Sequence, residues 1–453
     1  MEIKQLYNYQ SQAIEKALKF NKFLIALDMG LGKTFTALSW LKKIKLNNDL
    51  NTVIICDSKK INDWQHEAEQ LEFKNIIVVV KNENVEIFKN FKNLKNYIFI
   101  ISYQKLKNIY KNYEVFLHSK LNLIIDESQA LKNHSSKISK LMLYINKQVE
   151  KLLLLSGDPI SNGYENLFIQ MKMLEIFKSN YTYYNFLNEY CVTYRFPNKS
   201  FEVIKDYKNV NKLMNLLNER AFFLKTEDAI VLPEKTAKLI KINNNDFYKQ
   251  FKRDKAIISD RWQLSASSSI KFLHDLRMLA SGVVKDDLNN LFVVDFAKLN
   301  ELEKLLKKDN QNNFTIFYNY NAELFFIKQL LKKLNLTTYE INGEKNEIDY
   351  ALNCNTRFIV LVQYGSGARG IDGLQNKVNN QIYFSLPLSG ELFKQSIKRV
   401  HRIGQMNKVN YYFLINIQTI ESDILQTLRQ SKNYTLKLFE KKYWDNKEET
   451  NGN

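Results

Sequence analysis

Residues 23–38 read FLIALDMGLGKTFTAL. An apolar run meets a glycine-rich turn, then Lys33-Thr34, then a segment with helical spacing. Gly30 and Gly32 permit positive φ and let backbone N–H groups approach an anion closely. A helix starting at Lys33 adds the partial positive charge of its N-terminus. In such a loop Lys33 reaches the β- and γ-phosphates of ATP, and Thr34 places its hydroxyl on Mg2+. The strict phosphate loop opens with a glycine where this chain has Leu27. An ordinary glycine turn is the alternative, and the Lys33-Thr34 spacing weighs against it.

Around this loop, short apolar runs alternate with helical stretches. Candidate strands are 23–28, 52–57, 75–80, 97–102, 122–127 and 151–157. Runs of this length, apolar on both faces and rich in Ile and Val, predict a parallel sheet covered by helices. The same grain returns after residue 290, at 313–319, 337–343, 357–363, 380–386 and 408–416. There Leu324, Ile327, Leu331 and Leu334 fall on one helical stripe. The reading is α/β, with a first lobe over 1–165 and a second over 291–440. Between them, 166–290 reads as helical and aromatic-rich, and 441–453 as a polar tail that frays.

At 453 residues the chain is long enough for two or three domains with proper cores. No apolar run approaches the roughly 20 residues needed to span a bilayer, and the start MEIKQLYNYQ lacks the features of a secretion signal. Cys56, Cys191 and Cys354 lie far apart without metal-ligand spacing, which fits a reducing, cytoplasmic setting. The net charge of +18 favours a polyanionic partner such as nucleic acid. AT-rich coding, with its excess of Lys, Asn, Ile and Tyr, gives the same charge without a partner.

Residues 122–133, NLIIDESQALKN, end an apolar run on Asp126-Glu127. Alone, the pair reads as the start of a solvated turn. Beside a phosphate loop it reads as an acidic strand end in the same sheet. Asp126 then binds Mg2+ through its water shell, and Glu127 orients and deprotonates the attacking water. KQSIKRVHRIGQ (394–405) places Arg399 and Arg402 three residues apart, on one face of an expected helix. Paired guanidiniums suit a transferring phosphate, and a surface basic helix is the plain alternative. Together these groups describe an ATP site divided between two lobes.

With these residues the chain resembles the Swi/Snf family of DNA-dependent ATPases in helicase superfamily two, over most of its length. LYNYQSQAI is similar to the family's LxxYQ segment, and IALDMGLGKT to LADEMGLGKT. VIICDSKKINDWQHEAEQ, with Trp64 and Glu67, and FIISYQKL, with Ser102-Tyr103, resemble the segments that follow. LLLSGDPISNGYENLF is similar to LTGTPIQNxxxELF, and FFLKTEDAIVLPEK and LHDLRMLASG to LRRTKxDV…LPxK and LRxxCxHP. QSIKRVHRIGQMNKV…TIESDIL matches QxxxRxHRIGQxxxV…TIExxI most specifically.

The resemblance implies two RecA-like parallel-sheet lobes with helical insertions between them. It implies Gln10 at the adenine, Gly370 and Asp372 near the nucleotide, and Gln129, Ser156, Asp158 and Gln395 in coupling. Lys59, Ser102 and Tyr103 are implied contacts to DNA. Gln129 stands where the family usually has His, and Asp158 where it has Thr. GARGIDGLQ (367–375) departs toward the ARGxD of RNA helicases. The implied activity is an ATP-driven, monomeric translocase on double-stranded DNA, away from membranes. A bare motor core of this composition points to a bacteriophage or a low-GC bacterium. A strand-separating DNA or RNA helicase and an ATP-responsive DNA clamp with little turnover remain alternatives.

Overall fold

The computed structural model describes residues 5–80, 82–109, 119–160, 163–195, 202–229, 231–243, 245–367, 373–430 and 432–444. The chain divides into two compact units, Met1–Val231 and Leu232–Asn453.

In the first unit, β1 (Lys22–Leu27), β2 (Thr52–Cys56), β3 (Ile76–Val78), β4 (Ile98–Ser102), β5 (Leu121–Ile125) and β6 (Val149–Ser156) fall where the apolar runs predict them. A hairpin follows, β7 (Cys191–Arg195) and β8 (Glu202–Tyr207), then β9 (Ala221–Leu224). The sheet is seven-stranded in the order β3-β4-β2-β5-β6-β1-β9. Every pairing in it is parallel. β1, β2, β4 and β5 are buried at every residue, as strands covered on both faces must be. Three helices matter for the site: α1 (Asn8–Leu18), α2 (Lys33–Lys45) and α3 (Ile61–Gln70).

In the second unit, β10 (Lys235–Ile242) comes first. Two small hairpins follow, β11 (Ala256–Ile258) with β12 (Gln263–Ser265), and β13 (Val283–Lys285) with β14 (Leu291–Val293). Then come β15 (Phe314–Tyr318), β16 (Thr337–Ile341), β17 (Phe358–Gln363), β18 (Asn380–Tyr383) and β19 (Val409–Asn416). The six-stranded parallel sheet has the order β10-β19-β18-β15-β17-β16. Alternation divides its core: Phe314, Ile316 and Tyr318 face one cluster with Ile359 and Leu361, while Phe317 joins Val360 and Val362 in the other. Each such side chain, wholly removed from water, contributes about 1.5–3 kcal/mol.

The middle stretch differs from its helical expectation. Residues 166–290 are shared between the units: β9 pairs with β1, and β10 pairs with β19. β9 is only four residues long, and β10 (KTAKLIKI) is a largely exposed, lysine-bearing edge strand. Lysines on an edge discourage further pairing and also erase the apolar signal by which a strand is read. The tail differs too. Tyr443 and Trp444 pack on the second unit, with Lys255 lying 3.9 Å from the Trp444 ring and Tyr443 donating to Asp423 Oδ2 at 2.6 Å. Among the described residues no helix is long and apolar enough to cross a membrane.

Candidate active site

The strand order carries the site. β4, β2, β5, β6 and β1 are neighbours in that order, and all run the same way. The segments that leave their carboxyl ends therefore share one edge, where open α/β sheets bind ligands. They carry Ser102-Tyr103, Ser58–Lys60, Asp126-Glu127, Gly157-Asp158 and the phosphate loop.

The loop between β1 and α2 uses its glycines as expected. Gly30 has φ 90°, and Gly32, which caps α2, has φ 72°. The positive φ favours glycine at Gly32, and a Cβ there would lie 2.5 Å from Gln10 Nε2, so the Gln10 amide would have to shift. Gln10 itself is buried. It accepts from the Tyr7 N–H at 3.0 Å and donates to Leu31 O at 3.1 Å, which ties α1 to the loop. Lys33 Nζ donates to Leu27 O at 3.1 Å. A Cβ on Gly157 would stand 3.5 Å from that ammonium, so the lysine also lies against the turn after β6. Asp28 accepts from Thr226 Oγ1 at 2.9 Å, anchoring the loop to the residues after β9.

Asp126 is buried, and each of its polar atoms is engaged. Its N–H donates to Ile55 O at 2.8 Å, and its carbonyl accepts from the Tyr103 hydroxyl at 2.7 Å. Oδ1 accepts from the Glu127 N–H and Oδ2 from Trp64 Nε1, both at 3.0 Å. Burial, reinforced by the charge of Glu127, pushes its carboxyl up to about 6. The Lys33 ammonium, the Trp64 hydrogen bond and the Lys60 ammonium oppose that rise. Glu127 has φ 50° and ψ 53°, left-handed values that cost a non-glycine residue about 1–2 kcal/mol. Strain of this kind collects at functional positions.

A directed chain of hydrogen bonds then holds Glu127. Gln129 Nε2 donates to Glu127 Oε2 at 2.6 Å, and Gln129 Oε1 accepts from Ser156 Oγ at 2.6 Å. Ser156 Oγ in turn accepts from the Asp158 N–H at 3.1 Å. A second bridge runs in parallel. Buried Ser128 donates to Gln170 Oε1 at 2.8 Å, and Gln170 Nε2 donates to Pro159 O at 3.1 Å. The acidic strand end and the turn after β6 are thus joined twice.

In the second unit, the helix Gly390–Ile397 is capped by Ser389 and stops before Arg399. Sheet side chains bond its last carbonyls: Gln381 Nε2 donates to Ser396 O at 3.1 Å, beside the Arg399 N–H at 3.2 Å, and the Tyr411 hydroxyl donates to Ile397 O at 2.7 Å. Arg399 and Arg402 lie in the turns that follow, which corrects the expectation of one helical face. Arg399 is buried, and Arg402 is half-buried. Gln405 splints the loop from inside, donating to Gln375 O, Val378 O and Val400 O at 3.0, 2.9 and 3.1 Å. Gly404 has φ 92°, and a Cβ there would lie 2.9 Å from Asn376 Oδ1. His401 Nε2 meets Pro233 O at 2.8 Å.

The first unit thus gathers Gln10, Gly30, Gly32, Lys33, Thr34, Asp126, Glu127, Gln129, Ser156 and Asp158 around one sheet edge. Ser102 is buried and accepts from the Lys105 N–H at 3.1 Å, while Lys59 is exposed. Tyr103, expected at DNA, spends its hydroxyl on Asp126. Gln395 is buried, and its side chain donates locally to Glu391 Oε1 at 3.1 Å. Gly370 and Asp372 lie outside the described residues. Residue patterns alone miss the bonds of Trp64 and Tyr103 to Asp126, of Gln170 to Ser128 and of Gln405 to Gln375 and Val378, because those partners are distant in sequence.

The SNF2-related domain matches residues 9–286, and the helicase conserved C-terminal domain matches 297–404. The chain belongs to the SNF2-related family. Similar proteins include an uncharacterised ATP-dependent helicase of Mycoplasma genitalium, 25% identical over 95% of this chain and 42% of that one. The uncharacterised ATP-dependent helicase YqhH of Bacillus subtilis is 23% identical over 96% of this chain and 78% of its own length. The CHD3-type chromatin-remodelling factor PICKLE of Arabidopsis thaliana is 23% identical over 90% and 32%. Among these relatives the chain spans less than half of the Mycoplasma and Arabidopsis proteins. All three are cellular, so the bacteriophage expectation finds no support in them.

Proposed function

We propose that this SNF2-related chain hydrolyses ATP to move along double-stranded DNA and to displace or remodel what is bound to it. The observation that carries the reading is the row of strand ends β5, β6 and β1. It sets a phosphate loop beside an acidic pair whose second member is oriented through Gln129 and Ser156.

In this reading Gln10 reads adenine, and the loop amides with Lys33 take the phosphates. Thr34 and Asp126 offer the hard oxygen donors that Mg2+ prefers, and among the described residues each Asp126 carboxylate oxygen accepts one hydrogen bond. When bound, Mg2+ neutralises charge on the phosphates. Glu127, fixed by Gln129, orients and deprotonates the attacking water. Arg399 and Arg402 supply positive charge to the transferring phosphate. A net charge of +18 supports contact with the DNA backbone, whose affinity then falls steeply with salt. Action as a monomer in the cytoplasm belongs to the same proposal.

A triplex-displacement assay tests it: ATP-dependent release of the third strand from duplex supports translocation, and strand separation of a plain duplex in its place contradicts it. Lys33→Ala should lose nucleotide binding or turnover. Arg402→Ala should bind nucleotide and fail to hydrolyse it. Equal loss of nucleotide affinity in both contradicts the roles given.

A further inference from the structure

Two helices of the second unit, α4 (Ala297–Lys308) and α5 (Asn321–Lys333), bury Leu302, Leu306, Ile327 and Leu331 in the core of its sheet. Each carries a further face beside that stripe. At α4 it is Phe296, Leu299, Asn300 and Glu303, and at α5 it is Phe326, Gln329, Leu330 and Lys333. Both sets have the spacing i, i+3, i+4, i+7, so each is one side of a helix over two turns. Together with β14 they line a trough of about 560 Å3, within the ~300–1,000 Å3 of ligand-binding clefts. Most of its lining is apolar, and Phe296 is 60% exposed at its rim. Phe325 stands beside Phe326, edge to face at 5.1 Å, and is itself 47% exposed. Neighbouring exposed aromatics around one cleft mark an interaction surface.

The charge around the trough narrows the partner. The exposed charges of the two helices are six lysines, against two partly exposed glutamates, Glu301 and Glu303. Both acids are already paired, Glu301 with Lys304 at 2.6 Å, and Glu303 with Lys307 at 2.7 Å and Lys333 at 3.7 Å. Lys328 pairs with Glu340 of β16. Lys308 and Lys332 are left without an ion pair among the described residues. A two-turn apolar trough takes the apolar stripe of a helix, anchored at i, i+3 or i+4, and i+7. Lysines at the rim then favour carboxylates flanking that stripe. Duplex DNA meets the lysines alone, because its phosphates have nothing to place in an apolar trough.

We propose that this trough is the docking site for an acidic amphipathic helix of a partner protein. The test uses the full chain and a fluorescein-labelled peptide of about 18 residues, long enough to hold a helix. The peptide carries Leu and Phe at i, i+3, i+4 and i+7, and Glu on its other face. Fluorescence anisotropy at low salt should give a Kd on the order of 10 μM, and the same residues in scrambled order should bind far more weakly. Phe296→Ser should weaken binding about tenfold. Lys308→Glu with Lys332→Glu should weaken it by a similar factor and flatten its salt dependence. All three positions are exposed, so the urea midpoint should hold in both variants. No binding to the unaltered chain, equal binding of the scrambled peptide, or full affinity in Phe296→Ser overturns the proposal. Displacement of the peptide by a short DNA duplex overturns it in favour of nucleic acid. Self-association of the unaltered chain that Phe296→Ser abolishes in sedimentation overturns it in favour of a second copy.

Discussion

Gln129→Leu removes the side chain that joins Glu127 to Ser156 while keeping most of its volume. Gln129 makes one bond to a carboxylate and one to a neutral hydroxyl, both at 2.6 Å in a nearly buried site. The charged bond is worth about 1.5–3 kcal/mol and the neutral one about 0.5–1.5 kcal/mol. Ser156 still accepts from the Asp158 N–H, which limits the penalty. The expected loss of stability is about 2–4 kcal/mol, readable as a lower urea midpoint with the slope unchanged. The catalytic effect is separate. Glu127 keeps its strained backbone but loses the hydrogen bond that aims its carboxylate. Turnover should fall about 10–100-fold, or about 1.4–2.7 kcal/mol of barrier. Gln10, Lys33 and Thr34 are untouched, so affinity for a fluorescent ATP analogue should hold. Phosphate release at saturating ATP, beside that binding measurement, separates the two effects. Wild-type turnover in Gln129→Leu refutes the claim that the Ser156–Gln129–Glu127 chain orients the water-activating group.

Three further outcomes are expected. Gln405→Leu frees Val400 O in the loop that carries Arg399 and Arg402, and unties that loop from Gln375 O and Val378 O, so turnover should fall with nucleotide affinity retained and protease cutting within 398–404 increased. Unaltered turnover removes Gln405 from that role. Lys298 and Glu421 form a buried ion pair at 2.5 Å. Glu421→Gln should cost about 3–5 kcal/mol by leaving the ammonium without its counter-charge, while the double change Lys298→Met with Glu421→Gln recovers most of it; urea unfolding checks both. Asp126, with its carboxyl pushed up to about 6, binds a proton more tightly folded than unfolded. Without metal or nucleotide, its contribution to stability is therefore lost as pH rises from about 4 to about 6. The stability gap between Asp126→Asn and the unaltered chain should widen across that window and stay level above it, as thermal unfolding at several pH values will show.

The sequence carries the sheets because both are parallel and covered: strands such as FLIALD and NLIIDE bury both faces, so their apolar runs stand out. It carries the loop between β1 and α2 because Gly30 and Gly32 both sit at positive φ, where glycine is favoured. It hides β10, whose exposed lysines read as a solvated segment, and the hairpins of 166–290, whose strands are short. Pairing two arginines by helical spacing fails at 399–402 because the helix ends at Ile397 and its last turn tightens, with the Arg399 N–H on Ser396 O, while Gln381 and Tyr411 from the sheet bond the same end. Trp64 and Glu67 are legible as a motif, yet the bond from Trp64 to Asp126 spans 62 positions and exists only in the fold. The bonds of Gln129 likewise exist only in the fold. An amide donates to Glu127 and accepts from Ser156 at once, without a proton to gain or lose near neutral pH.

Phosphate release measured with duplex DNA, single-stranded DNA and RNA, each at matched salt, tests the central claim most directly. The account predicts stimulation by duplex above the other two, absent in Glu127→Gln. Stimulation selective for RNA, or Glu127→Gln releasing phosphate at the unaltered rate, contradicts it.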